Sequence, residues 1–164
     1  MADTIGNALK FQNFDPENID VSEITELTNS IPRDGNVDIV IAEVMATKFL
    51  RGADRCSEFL SIFTWWSAKK DDEKRHAFSK AFIVTASQAG MKTATEKKAY
   101  AEGDSEYIAA CEAASRAKAM KEWFKNKHES LVSAHYLMKE IAKGSRTHSR
   151  AGVADGSWGE QEWK

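Results

Sequence analysis

The last third of the chain carries an apolar stripe that is too long to be buried within one compact element. Between residues 105 and 143, apolar residues recur at alternating steps of three and four, and only Lys127 interrupts them. This spacing is typical of an amphipathic α-helix, which would be roughly 58 Å long at about 1.5 Å per residue. Such a helix must pack against another long helix, a second subunit or both. Its end is predicted at Gly144.

A second stripe, beginning after Asp38, predicts the packing partner of this helix. Its apolar positions follow the same steps: Ile39, Ala42, Ala46, Phe49, Ala53, Cys56, Leu60 and Phe63. Further apolar residues widen the stripe beyond a two-stranded seam: Ile41, Phe59, Ile62 and Trp66. We therefore expect an all-α fold in which long antiparallel helices form a helical hairpin or bundle with coiled-coil-like seams, assembled as a homo-oligomer.

Turn-forming residues divide the chain into three predicted parts. Residues 1–37 hold both prolines and predict an acidic, turn-rich arm with a short helix over 21–27, which packs on a partner subunit or stays loose. Residues 38–144 predict the helical domain. Residues 145–164 are rich in glycine and polar residues and predict a flexible acidic tail.

The region between the two stripes contains several helix-end signals. Asp71 and Asp72 either begin a second helix, or one helix runs on to residue 89, and the sequence leaves both readings open. Gly90 predicts the C-terminal cap of that segment. The lysine-rich stretch 91–103 predicts a connector with a helical turn or two, and Asp104 is the predicted N-cap of the last helix.

Neither a membrane span nor a secreted protein is predicted. The longest uncharged stretch, 59–68, has about half of the ~20 residues that a membrane span needs. Residues 1–11 lack the basic start and apolar run of a signal peptide. Cys56 and Cys111 lie on the apolar stripes, where free cysteine behaves as a small hydrophobe. We expect a cytoplasmic protein, located in the host cytoplasm if a phage encodes it.

The motifs of common enzyme classes are missing from the sequence. No glycine-rich phosphate loop, nucleophile elbow or zinc-binding His pair is present. Glu73 and His76 form a single Glu-x-x-His pair, whereas a di-iron bundle needs two. We therefore expect a binding protein that is not an enzyme and has no cofactor, no metal site and no catalytic residue.

Charge is distributed unevenly and indicates a surface for a polyanion. The net charge of −2 combines an acidic first part with a basic stretch over 69–150, which has seventeen Lys and Arg against eleven Asp and Glu. The candidate nucleic-acid-binding residues are Lys69, Lys70, Lys74, Arg75, Lys80, Lys92, Lys97 and Lys98. Aromatic residues lie among them: Phe78, Phe82 and Tyr100. Cations that follow a backbone, with aromatics on which bases stack, are typical of single-strand binding, although the two phenylalanines also suit a core and the lysines also suit a solvated surface.

Trp158 and Trp163 lie among acidic residues of the tail. An exposed tryptophan in a flexible segment is costly unless it meets a partner, so both are candidate partner-binding residues. The alternative is that they pack weakly on the body of the protein.

Short motifs along residues 38–143 resemble the UvsY-type recombination mediators of phages. The first helix contains Phe63-Thr64-Trp65-Trp66, followed by the charged stretch EKRHAFSKAF. The connector contains Thr95-Glu96-Lys97-Lys98, with Asp104 eight residues after Glu96. The last helix contains Ser130-Leu131, then Tyr136 and Lys139.

The resemblance implies an oligomeric ring of helical hairpins that binds single-stranded DNA. Such a mediator helps to load a RecA-like recombinase onto strands coated by a single-strand-binding protein. The DNA-contacting cations of the family fall on Lys74, Arg75 and Lys80, which the charge pattern also selects.

Two alternatives remain open at this point. In the first alternative, the chain is a phage-type protein that binds a host or phage protein and inhibits or adapts it. It would do so by nucleic-acid mimicry, through acidic residues of its first third: Asp15, Glu17, Asp20, Glu23 and Glu26. A structural coiled-coil protein is the second alternative, for which the apolar stripes suffice. Steep salt dependence distinguishes phosphate binding from an apolar interface.

Overall fold

A computed structural model describes residues 19–32 and 37–154, with side chains as far as Gly144. Within these ranges every regular element is helical, which confirms the all-α fold. The elements are α1 (Ser22–Asn29), α2 (Ile39–Lys80), a π-helical turn (Ala81–Thr85), α3 (Ala86–Gln88), α4 (Ala94–Glu102) and α5 (Ser105–Ala154). The two predicted long helices are α2, with 42 residues, and α5, with 50.

The described residues fall into two compact units. We call the first the α1 unit, which contains residues 21–54, except the undescribed 33–36, together with residues 127–154. We call the second the α4 unit, which contains residues 55–126 with Ile19 and Asp20. Because each long helix contributes to both, each unit contains one antiparallel pair of α2 and α5 segments.

The core of the α1 unit is made by one face from each of its three helices. Four large side chains of this core are at most 1 % exposed: Ile24 of α1, Phe49 of α2, and Leu131 and Met138 of α5. Alanines occupy the remaining stripe positions and let the helix backbones approach closely. At Gly52 of α2, an added Cβ would lie only 3.2 Å from Cδ1 of Leu131 in α5.

The arm predicted over residues 1–37 includes a helix that packs on its own chain. α1 buries Ile24 at 1 % exposure, and Leu27 of α1 lies against Gly52 of α2. α1 therefore packs on its own chain, an arrangement that the sequence left undecided. Its apolar residues recur as Ile24, Leu27 and Ile31, which is enough for one helix face to cover α2.

An aromatic cluster forms the centre of the α4 unit. The ring of Phe124 in α5 lies 4.9 Å from the ring of Phe63 and 5.1 Å from that of Phe59, both in α2. Trp66 packs edge-on against Phe63, and Trp123 packs edge-on against Phe124. Such pairs add about 0.5–1.5 kcal/mol each beyond the area that they bury. They fix the register of α2 against α5 in this unit.

The helix predicted from residue 38 does not restart at Asp71. α2 continues through Asp71 and Asp72 to Lys80, and a π-helical turn joins it to α3. The end at Gly90 is confirmed, because Gly90 adopts φ +83°. The N–H groups of Gly90 and Met91 donate to the carbonyls of Ser87 and Ala86, which completes a Schellman motif.

Local hydrogen bonds set the start of the next two helices. Thr93 and Glu96 form a reciprocal capping box at the start of α4, so the connector contains a nine-residue helix. Asp104 accepts hydrogen bonds from the N–H groups of Glu106 and Tyr107, which confirms it as the N-cap of α5.

The predicted end of the last helix at Gly144 is wrong, because α5 continues to Ala154. Within the described residues Gly144 lacks the positive φ that a C-terminal glycine cap requires, and a helix tolerates an internal glycine at a cost of about 1 kcal/mol relative to alanine.

Candidate nucleic-acid interface

The five predicted cations of α2 lie on different faces of the helix. At about 100° per residue, Lys69 and Lys80 share one side of α2, whereas Arg75 lies on another. Lys70 and Lys74 lie toward α5 and are half-buried, and the other three are exposed. One basic strip along α2 is therefore not present, and the residues around each cation decide what that cation can bind.

Three of these cations are engaged with carboxylates. Lys70 pairs with Glu73 at 2.6 Å and Arg75 with Asp72 at 3.5 Å, both within one turn of α2. Lys80 reaches Glu106 at the start of α5, also at 2.6 Å. This hydrogen bond and the charge of Glu106 raise the pKa of Lys80. Exposed pairs of this kind are weak and are screened by salt, so a phosphate can compete with the carboxylates for these cations.

The connector lysines surround the short helix α4. Lys97 donates to the hydroxyl of Ser87 at 2.8 Å and is half-buried. Lys98 lies 3.8 Å from Glu102. Lys92 is exposed, and its backbone N–H donates to the Glu96 carboxylate. Within the described residues, neither Lys92 nor Lys97 forms an ion pair.

A polar groove between α2 and α5 brings Lys74 together with two lysines that the sequence reasoning missed. The groove has a volume of about 330 Å³. Its lining contains Lys74, Lys118 and Lys121, two serines (Ser67 and Ser115), Ala114, and two carboxylates (Asp71 and Glu122). We call it the lysine groove. None of its three lysines forms an ion pair with any residue that the structure describes.

The electrostatics of the lysine groove suit an anion. Three ammonium groups face two carboxylates, so the lining carries a net positive charge. Ser67 is 9 % exposed, so the buried part of the groove lining is polar as well. A bound phosphate would gain charge-assisted hydrogen bonds without displacing an existing ion pair of these lysines. Lys125 follows Lys121 on the same face of α5 and extends this basic surface by one turn.

The aromatic residues among the predicted cations pack mainly on each other. Phe78 stacks on Phe82 with ring centroids 6.0 Å apart, and Tyr107 packs edge-on against Phe78 at 5.2 Å. Phe78, Phe82 and Tyr107 are half-buried. Their packing agrees better with the alternative prediction, in which the two phenylalanines belong to the core, than with base stacking. Trp65 is 46 % exposed and has the ammonium of Lys69 5.5 Å from the centre of its ring.

Other predicted residues have different environments. Trp158 and Trp163 lie outside the described residues, as do Asp15 and Glu17 of the proposed acidic surface. Glu23 and Glu26 line a cleft of about 580 Å³ between α1 and α2, opposite Lys48 and Arg51. Because cations face these carboxylates, α1 does not present a uniformly acidic surface.

The part of the chain that the structure describes holds no group of three or more His, Cys, Asp or Glu arranged for a metal ion. Cys56 and Cys111 do not form a disulfide. No helix in the described ranges combines the length and apolar character that a membrane span requires.

Comparison of the chain with protein-family models, curated proteins and solved structures gave no significant match. The lysine groove and its surroundings are therefore the basis for a functional hypothesis.

Proposed function

We propose that this protein binds single-stranded DNA through the lysine groove of the α4 unit. The observation that supports the proposal is the convergence of Lys74, Lys118 and Lys121 from two helices, with none of them neutralised by an ion pair within the described residues. Phosphate binding by such lysines does not depend on base sequence. The ring of Trp65, with the ammonium of Lys69 5.5 Å from its centre, lies about half a turn around α2 from Lys74, so base stacking on Trp65 is not part of this proposal.

The ion-paired cations have a secondary role in this proposal. Each of these cations can exchange its carboxylate for a phosphate: Lys70, Arg75 and Lys80. The exchange adds less to the binding free energy than a contact with an unpaired lysine, because the ion pair must first be broken. Lys92, Lys97 and Lys98 widen the basic surface around α4. A strand would therefore bind first at the groove and then spread to these residues.

The test is anisotropy of a fluorescent oligo-dT, measured over a series of salt concentrations, with two variants of equal charge change. Lys118→Gln/Lys121→Gln removes two groove lysines, whereas Lys48→Gln/Arg51→Gln removes two cations that face carboxylates in the α1 unit. For single strands the slope of log K against log salt is about −0.7 per phosphate contact. The groove variant is expected to bind more weakly and to lose about 1.4 from this slope for each groove that contacts the strand, while the control keeps the wild-type slope.

Two outcomes would contradict the proposal. No binding at low salt by the folded wild-type chain would refute single-strand binding altogether. Equal weakening in both variants would show that overall charge, and not the groove, drives association.

We further propose a mediator role, which rests on the motif-level resemblance to the UvsY-type proteins. In that role the protein helps a RecA-like recombinase to replace a single-strand-binding protein on DNA. With such a pair of proteins, the wild-type chain is expected to shorten the lag before DNA-dependent ATP hydrolysis. The Lys118→Gln/Lys121→Gln variant should not shorten it. An unchanged lag with the wild-type chain would refute the mediator role and leave DNA binding untouched.

The exposed apolar side chains at the start of α2 support a homo-oligomer. Val40, Ile41 and Val44 are 70 %, 53 % and 51 % exposed, and they lie within about one turn of each other. Adjacent exposed apolar residues are typical of an interaction surface. We propose that copies associate here. Sedimentation velocity of Ile41→Glu/Val44→Glu is expected to show smaller species, whereas Ile83→Glu/Val84→Glu, at an exposed apolar pair of the α4 unit, should sediment as wild type. Identical sedimentation of all three proteins would contradict this.

A further inference from the structure

A second cleft, in the α1 unit, has an apolar floor and a basic rim. It lies between α2 and α5 and has a volume of about 330 Å³, at the small end of the range for ligand clefts. Leu50, Ala46 and Ala142 supply the apolar surface, and His135, Lys139 and Lys143 supply the polar rim. We call it the Leu50 cleft. It has no part in the nucleic-acid site described above.

The chemistry of the Leu50 cleft fits an acidic segment that carries an aromatic side chain. Leu50 is 44 % exposed, so a flat apolar ring would cover surface that is now in contact with water. Lys139 has no ion pair within the described residues, while Lys143 lies 3.1 Å from Glu140. Glu43 is the carboxylate in the lining, so the two lysines leave the rim positive.

His135 makes the cleft a defined structure and not a loose gap. Its Nδ1 lies 2.8 Å from the carbonyl oxygen of Ala46, which joins α5 to α2 at the cleft floor. Because a carbonyl can only accept, this ring nitrogen carries the proton and donates. The bond holds the two helices at a fixed separation beside Leu50.

The chain itself contains a segment of matching chemistry within reach. Residues 155–164 hold Trp158 and Trp163 together with three acidic residues and one lysine. α5 ends at Ala154, about 17 Å along the helix from Lys143 at about 1.5 Å per residue. Nine residues separate Ala154 from Trp163 and span up to about 30 Å when extended, whereas the four to Trp158 span only about 13 Å.

From this reach and the opposite charges, we propose that residues 155–164 fold back along α5 of the same chain. Trp163 enters the Leu50 cleft, and Glu160 and Glu162 pair with Lys139 and Lys143. The indole covers Leu50 and gains apolar burial, while the rim lysines hold the flanking carboxylates. Trp158 remains outside the cleft because its tether is too short.

The test uses the full chain labelled with 5-fluorotryptophan, which gives one fluorine resonance for each of five tryptophans. Trp163→Phe assigns the resonance of interest. In the wild-type chain this resonance is expected to differ from that of a free peptide with the sequence of residues 155–164. Leu50→Asp should move it to the free-peptide position. Leu137→Asp is the matched control, because Leu137 is also 44 % exposed and does not line the cleft.

A second variant tests the charge part of the proposal. Lys139→Glu/Lys143→Glu changes two exposed side chains and is expected to move the Trp163 resonance in the same direction as Leu50→Asp. Circular dichroism checks that each variant keeps its helix content. The Trp158 resonance should stay near its free-peptide position throughout.

Three results would overturn the proposal. The wild-type Trp163 resonance at the free-peptide position would mean that the cleft does not bind the tail. An equal shift in Leu50→Asp and Leu137→Asp would point to a general change in the fold. A resonance that moves on dilution would show that the tail docks on another copy and not on its own chain.

Discussion

Replacement of Gly52 by alanine is expected to destabilise the α1 unit, although alanine is the better helix former. A Cβ at this position would lie 2.7 Å from Cδ1 of Leu27 and 3.2 Å from Cδ1 of Leu131. Leu27 must move because 2.7 Å is too short for a Cβ contact, and the fully buried Leu131 can move only with its neighbours. Overpacking of a core costs about 1–3 kcal/mol, whereas the gain in helix propensity is about 1 kcal/mol. We expect a net loss of about 1 kcal/mol.

Urea unfolding followed by circular dichroism measures this loss, and a second background tests its cause. In a Leu27→Ala chain the shorter of the two contacts is absent, so the same Gly52→Ala change should be at least about 1 kcal/mol less costly than in the wild type. A higher urea midpoint for Gly52→Ala in the wild-type background, with an unchanged slope, would refute the packing argument. Equal effects in both backgrounds would show that Leu27 is not the limiting contact.

Three further predictions concern the α4 unit. Phe124→Ala removes the ring shared by Phe63 and its neighbours and is expected to cost about 3–5 kcal/mol in urea unfolding; a loss below about 1 kcal/mol would contradict the packing of this cluster. Thr93→Ala removes half of the capping box and should speed amide hydrogen exchange across α4, at a local cost of about 1 kcal/mol. The backbone N–H groups of Thr93 and Lys92 donate to the carboxylate of Glu96 and lower its pKa. The stabilisation of α4 by Glu96 is therefore present at neutral pH and is lost as the pH falls through this lowered pKa. An NMR titration that places the pKa of Glu96 at or above the ordinary glutamate value would contradict the last prediction.

The fold was largely predictable because long periodic stripes leave few alternatives. The positions buried most deeply in α2, such as Ala42, Phe49 and Phe63, belong to the stripe read from the sequence. The continuation of α5 past Gly144 was not predictable from that residue alone, because a glycine that ends one helix is tolerated inside another. The π-helical turn after Lys80 was also missed, since no residue type marks such a turn.

The site was less predictable because it depends on pairs of helices. Lys74 stands in a run of charges in the sequence, but the two lysines that share its groove are about forty residues away in α5. Lys118 and Lys121 stand three apart, and this spacing places them on one helix face, so the signal was available. The pairing of Lys80 with Glu106 depends on a tertiary contact, whereas Lys70 and Arg75 pair with carboxylates three residues away in the same helix, a spacing that the sequence shows.

The number of groove lysines also limits what one copy can do. Three phosphate contacts in one lysine groove correspond to a salt slope of about −2 for a single strand. A steeper slope needs further cations, either the ion-paired residues of the same copy or the grooves of other copies. The Lys118→Gln/Lys121→Gln variant separates these cases, because it removes two contacts from every groove that touches the strand. A reduction of about 1.4 means that one groove binds each strand, whereas a multiple of that value requires several copies on one strand. A protein that loads a recombinase along DNA would need the second arrangement, because one groove of about 330 Å³ spans only a short stretch of strand.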